Sequence, residues 1–229
     1  MIKKVVLRLI PTSIKKQAKN FIILSKIYGQ YKSIKNSSSI NETGEPIPWY
    51  TYPAIEFLNQ FDFSTEKVFE FGSGSSSLYW SEKCLSLISI EHDQDWFNKI
   101  KNNTTRGNQK LFLRKNKDEY VQSINEFESE FDIIIIDGVY RQDCAKEVKN
   151  KLNSESGIVI LDNSDWYAGT AEFLRDSTDM IQVDFHGFGP INDYTWTTSI
   201  FLTRGVMMNP KNKIQPAYSL SALRHKYEH

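Results

Sequence analysis

Short apolar runs recur along the chain after residue 67, and the segments between them are long enough to form helices. The apolar runs have the length of strands and occupy residues 67–71, 86–91, 110–114, 131–136 and 156–161. The segments of helix length occupy residues 76–83, 94–103, 117–127, 141–151 and 166–176. Strands that alternate with helices form βαβ units with parallel strands and right-handed crossovers. The pattern predicts a three-layer α/β sandwich with a mostly parallel sheet between helices.

Two further apolar runs, at residues 180–185 and 197–203, lie too close together for a helix between them. A short loop of this kind joins neighbouring strands in antiparallel order. We therefore expect a seven-stranded sheet whose last strand is antiparallel. The run Ile133–Ile136 has no polar face, which is typical of a central strand covered by helices on both sides.

The first part of the chain is basic and carries a helical pattern. Apolar residues fall near one helical stripe and basic residues lie mostly away from it; the apolar set is Ile14, Ala18, Phe21, Ile22 and Tyr28. No acidic residue precedes Glu42, whereas nine basic residues do: Lys3, Lys4, Arg8, Lys15, Lys16, Lys19, Lys26, Lys32 and Lys35. Such a helix either lies on an anionic membrane surface or packs on its own domain. Residues 1–35 are therefore a candidate peripheral membrane contact.

Composition divides the chain into three parts. Residues 33–47 are rich in Ser, Asn, Gly and Pro, which indicates a linker. We expect a basic extension with this linker over 1–45, the α/β domain over 46–206 and a tail over 207–229. No apolar run is long enough to span a bilayer. Cys84 and Cys144 lack metal-ligand spacing and indicate a reducing compartment, so we expect a cytoplasmic protein.

A glycine turn follows the first predicted strand. Gly72 and Gly74 allow the chain to turn sharply and bring backbone N–H groups close to a ligand. Glu70 precedes this turn, and Glu91 ends the next strand, where a carboxylate can accept hydrogen bonds from both hydroxyls of a ribose. This combination of a strand, a glycine turn, a helix and a second strand ending in an acid predicts a nucleoside-binding site.

The residue at position 77 bears on which nucleoside is bound. A dinucleotide-binding turn has a third glycine there, and this chain has Ser77. S-adenosylmethionine has no phosphate, and its ammonium group needs a carboxylate, which Glu70 can supply directly or through water. The sequence therefore favours S-adenosylmethionine over a nicotinamide dinucleotide.

Over residues 67–203 the chain resembles the class I S-adenosylmethionine-dependent methyltransferases, which are Rossmann-like. The resemblance lies in the segments EFGSGS, ISIEHD and FDIIIIDG, and in the closing antiparallel pair. It implies that Glu91 binds the ribose, that Asp137 lies beside the methyl donor and that Asp118 lies near the adenine. The cofactor-binding residues expected from the motifs and the resemblance together are Glu70, Gly72, Ser73, Gly74, Ser76, Glu91, His92, Asp118 and Asp137.

A second resemblance concerns metal-dependent O-methyltransferases of the catechol and caffeoyl type. Those enzymes hold a divalent cation with an Asp after the fourth strand and an Asp-Asn pair after the fifth, and this chain has Asp137, Asp162 and Asn163 at these places. The resemblance implies Mg²⁺ or Ca²⁺. A lysine that those enzymes carry near the acceptor oxygen is replaced here by Tyr140. Without a metal, Asp162 or Asn163 would cap the next helix.

The favoured reaction is O-methylation of a small-molecule or glycan-like acceptor. Asp137 is the expected base. His186, which we expect in the loop after the sixth strand, is the reserve because histidine can accept a proton near neutral pH. Arg141 either holds an anionic group of the substrate or forms a structural salt bridge. The aromatic residues that can stack on an acceptor are Trp49, Tyr50, Tyr52, Trp166, Tyr194 and Trp196.

Three other functions remain open. A non-catalytic binding protein could keep the fold and lose the cofactor, although the presence of Glu70, Gly72, Gly74 and Glu91 speaks against it. An NAD(P)-dependent oxidoreductase would use the same strand, turn and helix. A nucleic-acid methyltransferase would account for the basic N-terminus. The rest of the chain has an excess of acidic residues, which speaks against a nucleic-acid partner.

Overall fold

A seven-stranded sheet forms the centre of the molecule. The computed structural model describes residues 10–103, 106–213 and 215–224. The strands are β1 (Lys67–Phe71), β2 (Ser86–Glu91), β3 (Gln109–Leu113), β4 (Ile133–Ile136), β5 (Ile158–Leu161), β6 (Ile181–Gly187) and β7 (Trp196–Leu202). Their order across the sheet is β3-β2-β1-β4-β5-β7-β6. The strands β1 to β5 are parallel, and β7 pairs antiparallel with both β5 and β6.

Helices join the strands and cover both faces of the sheet. In chain order they are α1 (Thr12–Ile22) with a π-helical turn (Ile23–Ile27), α2 (Gln30–Asn36), α3 (Tyr52–Leu58), α4 (Ser75–Ser81), α5 (Gln94–Asn103), α6 (Lys117–Gln122) with a 3₁₀ turn (Ser123–Glu126), α7 (Arg141–Val148) and α8 (Ala168–Thr178). The sequence prediction of a three-layer α/β fold is confirmed. Each predicted strand boundary lies within two residues of the observed one, and the predicted antiparallel last strand is β7.

The all-isoleucine strand β4 divides the core. Ile134 and Ile136 belong to a cluster on one face of the sheet, and Ile133 and Ile135 belong to a second cluster on the other face. All four are buried. Successive side chains of a strand point to opposite faces, so an apolar run without alternation must be covered on both sides.

The segment expected to be a linker is part of the folded structure, so this expectation was wrong. Helix α2 ends only at Asn36, and Ser39 is buried and donates through Oγ to the carbonyl of Pro48 (3.2 Å). The cause is a long-range contact. Gln30 is buried, and its Nε2 donates to the carbonyls of Gly189 (3.0 Å) and Asn192 (3.1 Å) in the β6–β7 loop, residues 188–195. Tertiary hydrogen bonds of this kind outweigh a polar composition that taken alone indicates a loop.

Helix α1 has no buried residue, whereas the π-helical turn after it is attached to the domain. Leu24 and Tyr28 pack against the core, and the Tyr28 hydroxyl donates to Glu56 Oε1 (3.0 Å). The predicted helix over the N-terminal stripe is confirmed, but its first three turns remain on the surface. Among the described residues, no helix combines the length and the apolar character needed to cross a bilayer.

Candidate active site

The glycine turn lies where β1 meets β4. Gly72 has φ +106°, a conformation that favours glycine, and its N–H donates to the carbonyl of Ile90 (2.9 Å). A β-carbon at Gly72 would lie 3.0 Å from both the N and the Cα of Gly138. The two glycines therefore let the end of β1 and the chain after β4 touch backbone to backbone. This contact places Asp137, the residue before Gly138, beside the turn.

Glu70 supports the turn from inside the domain. Its fully buried carboxylate accepts hydrogen bonds from the hydroxyls of Ser76 (2.5 Å), Ser77 (2.5 Å) and Ser89 (2.8 Å). Burial raises the pKa of Glu70 to about 7, although the three hydroxyls lower it. Glu70 thus joins β1 to β2 and to the start of α4. The sequence predicts that Glu70 binds the ammonium group of a cofactor, whereas its described contacts are with serines.

Ser77 occupies the position at which a dinucleotide-binding turn has its third glycine. Its Oγ donates to Glu70 and accepts a hydrogen bond from the N–H of Gly74 (3.0 Å). A side chain therefore lies between the helix and the strand, where a glycine would let the two elements approach closely. The turn is built around this hydroxyl, which speaks against the dinucleotide alternative.

Glu91 ends β2 beside the same turn. Its Oε2 accepts from the Ser73 hydroxyl (2.7 Å), and its Oε1 accepts from the N–H groups of His92 (2.8 Å) and Asp93 (2.9 Å). The Nδ1 atom of His92 also lies 3.0 Å from Oε1. A carboxylate oxygen can accept two hydrogen bonds, so Oε2 retains capacity for a ribose hydroxyl. This geometry suits the nucleoside role expected for Glu91.

Arg141, at the start of α7, joins the ends of β4 and β5. Its Nε donates to the carbonyl of Gly138 (2.9 Å), and its Nη2 donates to the carbonyl (3.1 Å) and Oδ1 (3.2 Å) of Asp137. Its Nη1 donates to the carbonyl of Asp162 and to Oδ1 of Asn163 (3.0 Å). A guanidinium group has five N–H donors, and these five contacts account for all of them. Of the two roles expected for Arg141, the structural one is observed.

The two aspartates at the strand ends have different surroundings. Asp162 Oδ1 accepts from Trp196 Nε1 (3.0 Å) and Thr198 Oγ1 (2.5 Å) of β7. Burial, followed by repulsion from Asp137, holds the pKa of Asp162 well above its usual range. Burial also raises the pKa of Asp137 to about 6, and Arg141 lowers it. Asp137 is therefore the carboxylate that is ionised at neutral pH.

The expected divalent metal does not suit this arrangement. The guanidinium of Arg141 donates to Oδ1 of Asp137 and Oδ1 of Asn163, two of the oxygens that would be ligands, and it already supplies a positive charge there. The carboxylate of Asp162 is bonded to β7. No group of three or more His, Cys, Asp or Glu side chains within the described ranges could hold a metal ion.

A cleft of about 440 Å³ joins the glycine turn to these strand ends. Its walls include residues 73–76 on one side and Asp137, Arg141, Asp162 and Asn163 on the other. Of the six aromatic residues singled out in the sequence, three line the cleft and are exposed: Trp49, Trp166 and Tyr194. The other three are buried in the core: Tyr50, Tyr52 and Trp196. A volume of this size is typical of small-molecule sites.

Six of the expected site residues do not line the cleft: Glu70, Gly72, Glu91, His92, Asp118 and His186. His186 is within β6 and not in the loop after it; its exposed ring bonds to Thr197 Oγ1 through Nδ1 (2.7 Å). It is not among the residues that line the cleft with Asp137. Asp118 is exposed in the first turn of α6, where its N–H donates to Asn116 Oδ1 (2.8 Å).

Several residues of the site were not expected from the sequence. Residues 37–39, in the supposed linker, line the cleft. Trp96, which the sequence indicated as structural or cofactor-adjacent, also lines it, and its Nε1 donates to the carbonyl of Ser73 (2.5 Å). Ser89 was also missed, although a buried serine inside an apolar strand needs a hydrogen-bond partner. That requirement is a signal that can be seen in the sequence.

Three methyltransferases are among the solved structures similar to this chain. Precorrin-6y C5,15-methyltransferase from Geobacter metallireducens GS-15 matches with a TM-score of 0.53 and 13% identity, over 66% of this chain and 86% of that chain. A putative methyltransferase from Pseudomonas syringae matches with a TM-score of 0.48 and 15% identity, over 66% of this chain and 96% of that chain. A putative methyltransferase from Streptococcus mutans in complex with SAH matches with a TM-score of 0.47 and 13% identity, over 64% of this chain and 94% of that chain.

No protein-family model matches the chain, and no curated protein matches its sequence. The structural likeness to the Geobacter enzyme covers 66% of this chain at 13% identity, so what it shows is the fold. The chain has a Rossmann-like α/β fold, which it shares with the Geobacter methyltransferase.

Proposed function

We propose that this protein transfers the methyl group of S-adenosylmethionine to a hydroxyl of a small-molecule or glycan-like acceptor. One observation carries the proposal. A single cleft connects the glycine turn, which lies next to Glu91, with the carboxylate of Asp137 and with exposed aromatic rings. Donor and acceptor would therefore meet beside a group that can take a proton.

The glycine turn suits the donor. A β-carbon at Gly74 would have no protein atom closer than 3.8 Å, so this part of the backbone is open to a ligand. When bound, S-adenosylmethionine supplies a sulfonium methyl group that an acceptor oxygen can displace. Glu91 would hold the ribose, and the open backbone at Gly74 would accommodate the amino-acid end. Positioning of this kind is the main contribution that an enzyme makes to a direct displacement.

Asp137 would accept the proton of the acceptor hydroxyl. Its carboxylate lines the cleft, and Arg141 fixes its Oδ1 by a hydrogen bond of 3.2 Å. The oxygen–carbon bond forms as the sulfur–carbon bond breaks, and the hydroxyl proton passes to Asp137. A general base of this type typically contributes ~10²–10⁴-fold to the rate.

The aromatic rim favours an acceptor with a flat or sugar-like face. Trp166 and Tyr194 lie with their ring centroids 6.0 Å apart, and Trp49 Nε1 donates to Asn192 Oδ1 (3.2 Å) across the cleft mouth. Rings of this kind stack on sugars and on planar acceptors. This rim supports a small-molecule or glycan acceptor.

The donor half of the proposal is tested by calorimetric titration with S-adenosylhomocysteine. We expect wild type to bind and Glu91→Ala to bind at least about tenfold more weakly, which corresponds to about 1.4 kcal/mol. Glu172→Ala, which changes an exposed acid on α8, is the matched control and should bind as wild type does. Absence of binding by wild type, together with binding of NADH, would replace the methyltransferase proposal by the oxidoreductase alternative.

The acceptor half is tested by Asp137→Asn. We expect the variant to bind S-adenosylhomocysteine as wild type does and to lose about 10²-fold or more in methyl transfer to a panel of sugars and phenols. Because the pKa of Asp137 is about 6, the wild-type rate should rise with pH through that value and then level off. Transfer by Asp137→Asn at the wild-type rate would remove Asp137 from the reaction.

A further inference from the structure

Helix α1 presents apolar side chains to solvent. Ile14 is 56% exposed, Phe21 is 69% exposed and Ile22 is 48% exposed. Exposure continues beyond α1 at Ile27, Tyr31 and Ile34, which are also large and apolar. We call these six residues the N-terminal apolar surface. Scattered exposed apolar residues are ordinary, but a set concentrated on consecutive helical segments marks an interaction site.

The arrangement on α1 is amphipathic. At 100° per residue, Ile14, Phe21 and Ile22 fall within an arc of about 100°, and Ala18 falls in the same arc. Lys15, Lys16 and Lys19 fall within the adjoining arc of about 100°. Apolar and basic side chains therefore form two neighbouring stripes along the helix.

The charge of this region has one sign. Six lysines and no acidic side chain lie between residue 10 and Glu42; the lysines are Lys15, Lys16, Lys19, Lys26, Lys32 and Lys35. A groove on a partner protein would bind only the apolar stripe, and a nucleic acid would bind only the basic stripe. An anionic lipid surface takes both, because the apolar side chains enter the acyl boundary and the lysines remain at the headgroups.

The attachment of α1 to the domain leaves the helix accessible. Leu24 and Tyr28, in and after the π-helical turn, pack on the core, and Glu56 accepts from both the Tyr28 hydroxyl (3.0 Å) and the N–H of Leu220 (2.7 Å). The end of the helical region is thereby fixed, while α1 itself buries no residue. Residues 37–39, directly after α2, line the cleft.

We propose that α1 binds the surface of an anionic phospholipid membrane, with its apolar stripe in the interface and its lysines at the headgroups. The proposal does not depend on the proposed methyl transfer.

The test is flotation of the full chain with phosphatidylcholine vesicles that contain or lack phosphatidylglycerol. We expect binding to the anionic vesicles and at least about tenfold less binding to the neutral ones. Phe21→Glu and the double variant Lys16→Glu/Lys19→Glu should each abolish flotation. Met207→Glu, at a residue that is also exposed and apolar, is the matched control and should float as wild type does.

These substitutions are at exposed positions, so thermal unfolding should be the same in all variants. Deletion of the whole N-terminus is a poorer test, because it would also remove Leu24, Tyr28 and Gln30 from the folded domain. Failure of wild type to float, or equal flotation of Phe21→Glu, would overturn the proposal. The proposal would also be overturned if the protein bound an RNA homopolymer and did not bind vesicles. A wild-type dimer that Phe21→Glu dissociates would overturn it as well.

Discussion

Arg141 donates to both the main-chain carbonyl and the carboxylate of Asp137, at 3.1 and 3.2 Å. The same guanidinium reaches Gly138, Asp162 and Asn163, so one side chain holds the chain after β4 against the chain after β5. Its plane also stacks on Tyr167, with the guanidinium carbon 4.5 Å from the ring centroid. The position of the proposed base therefore depends on Arg141.

Replacing Arg141 by methionine should destabilise the protein strongly. The change keeps an apolar stem but leaves Asp137 and several buried carbonyls without their donor, and breaking a buried pair in this way costs about 3–5 kcal/mol. The free energy of unfolding in urea measures the loss. Arg175→Met, which removes an exposed pair with Asp176, is the control and should cost less than about 1 kcal/mol. Equal losses in the two variants would mean that Arg141 does not hold the strand ends together.

Divalent cations should not stabilise the wild-type protein. The positive charge that a metal would bring is already supplied by Arg141, among the oxygens that would bind it. We expect about 10 mM Mg²⁺ or Ca²⁺ to leave the melting temperature unchanged, whereas a site filled at 100 times its Kd would add about 2.7 kcal/mol. An increase of several degrees would restore the metal-dependent alternative. EDTA added to the methyl-transfer assay gives the complementary measurement.

Gly72→Ala should harm both folding and cofactor binding. The new methyl group would meet the backbone of Gly138 at 3.0 Å, and φ +106° is strained for alanine. We expect a loss of about 1–3 kcal/mol in the free energy of unfolding, with weaker binding of S-adenosylhomocysteine. Gly169→Ala, on α8 with open space around its β-carbon position, should be neutral or stabilising by up to about 1 kcal/mol. A stable Gly72→Ala that binds the ligand normally would contradict the close approach of β1 and β4.

Glu70 should make stability depend on pH in the acidic range. Its pKa is about 7 in the folded protein against 4.5 in the unfolded chain, so the folded state holds the proton more tightly. Stability conferred by that proton is complete below pH 4.5 and is lost as the pH rises through about 7. Asp137 acts in the same direction. In Glu70→Gln, the free energy of unfolding should fall by about 1–3 kcal/mol less than in wild type between pH 4.5 and 7.5. Glu172→Gln should leave the pH profile unchanged, and a Glu70→Gln profile that matches wild type would refute the assignment.

The fold could be predicted because its signals are local. Each strand is a short apolar run, and the all-isoleucine run reports a strand covered on both faces. Glu70 was assigned to the ligand because its spacing from Gly72 is visible in the sequence. The three serines that surround its carboxylate come from two different elements, and only the fold brings them together.

The remaining errors have the same origin. Residues 33–47 have the composition of a linker, and the hydrogen bonds of Gln30 to the β6–β7 loop, more than 150 residues away, order the chain just before them. His186 was placed in a loop because β6 extends two residues beyond its predicted end. Asp137, Asp162 and Asn163 are adjacent as expected, but their spacing could not reveal that Arg141 lies among them.

The antiparallel direction of β7 returns the β6–β7 loop to the edge where the parallel strands end. Three cleft residues, Ile191, Asn192 and Tyr194, belong to this loop, and Trp49 reaches it from the N-terminal side. The glycine turn and Glu91 are encoded more than ninety residues earlier than the loop. The loop can therefore change in length or sequence without altering the strands around the glycine turn. Exchange of this one hairpin connection would therefore change what the cleft admits and leave the glycine turn intact.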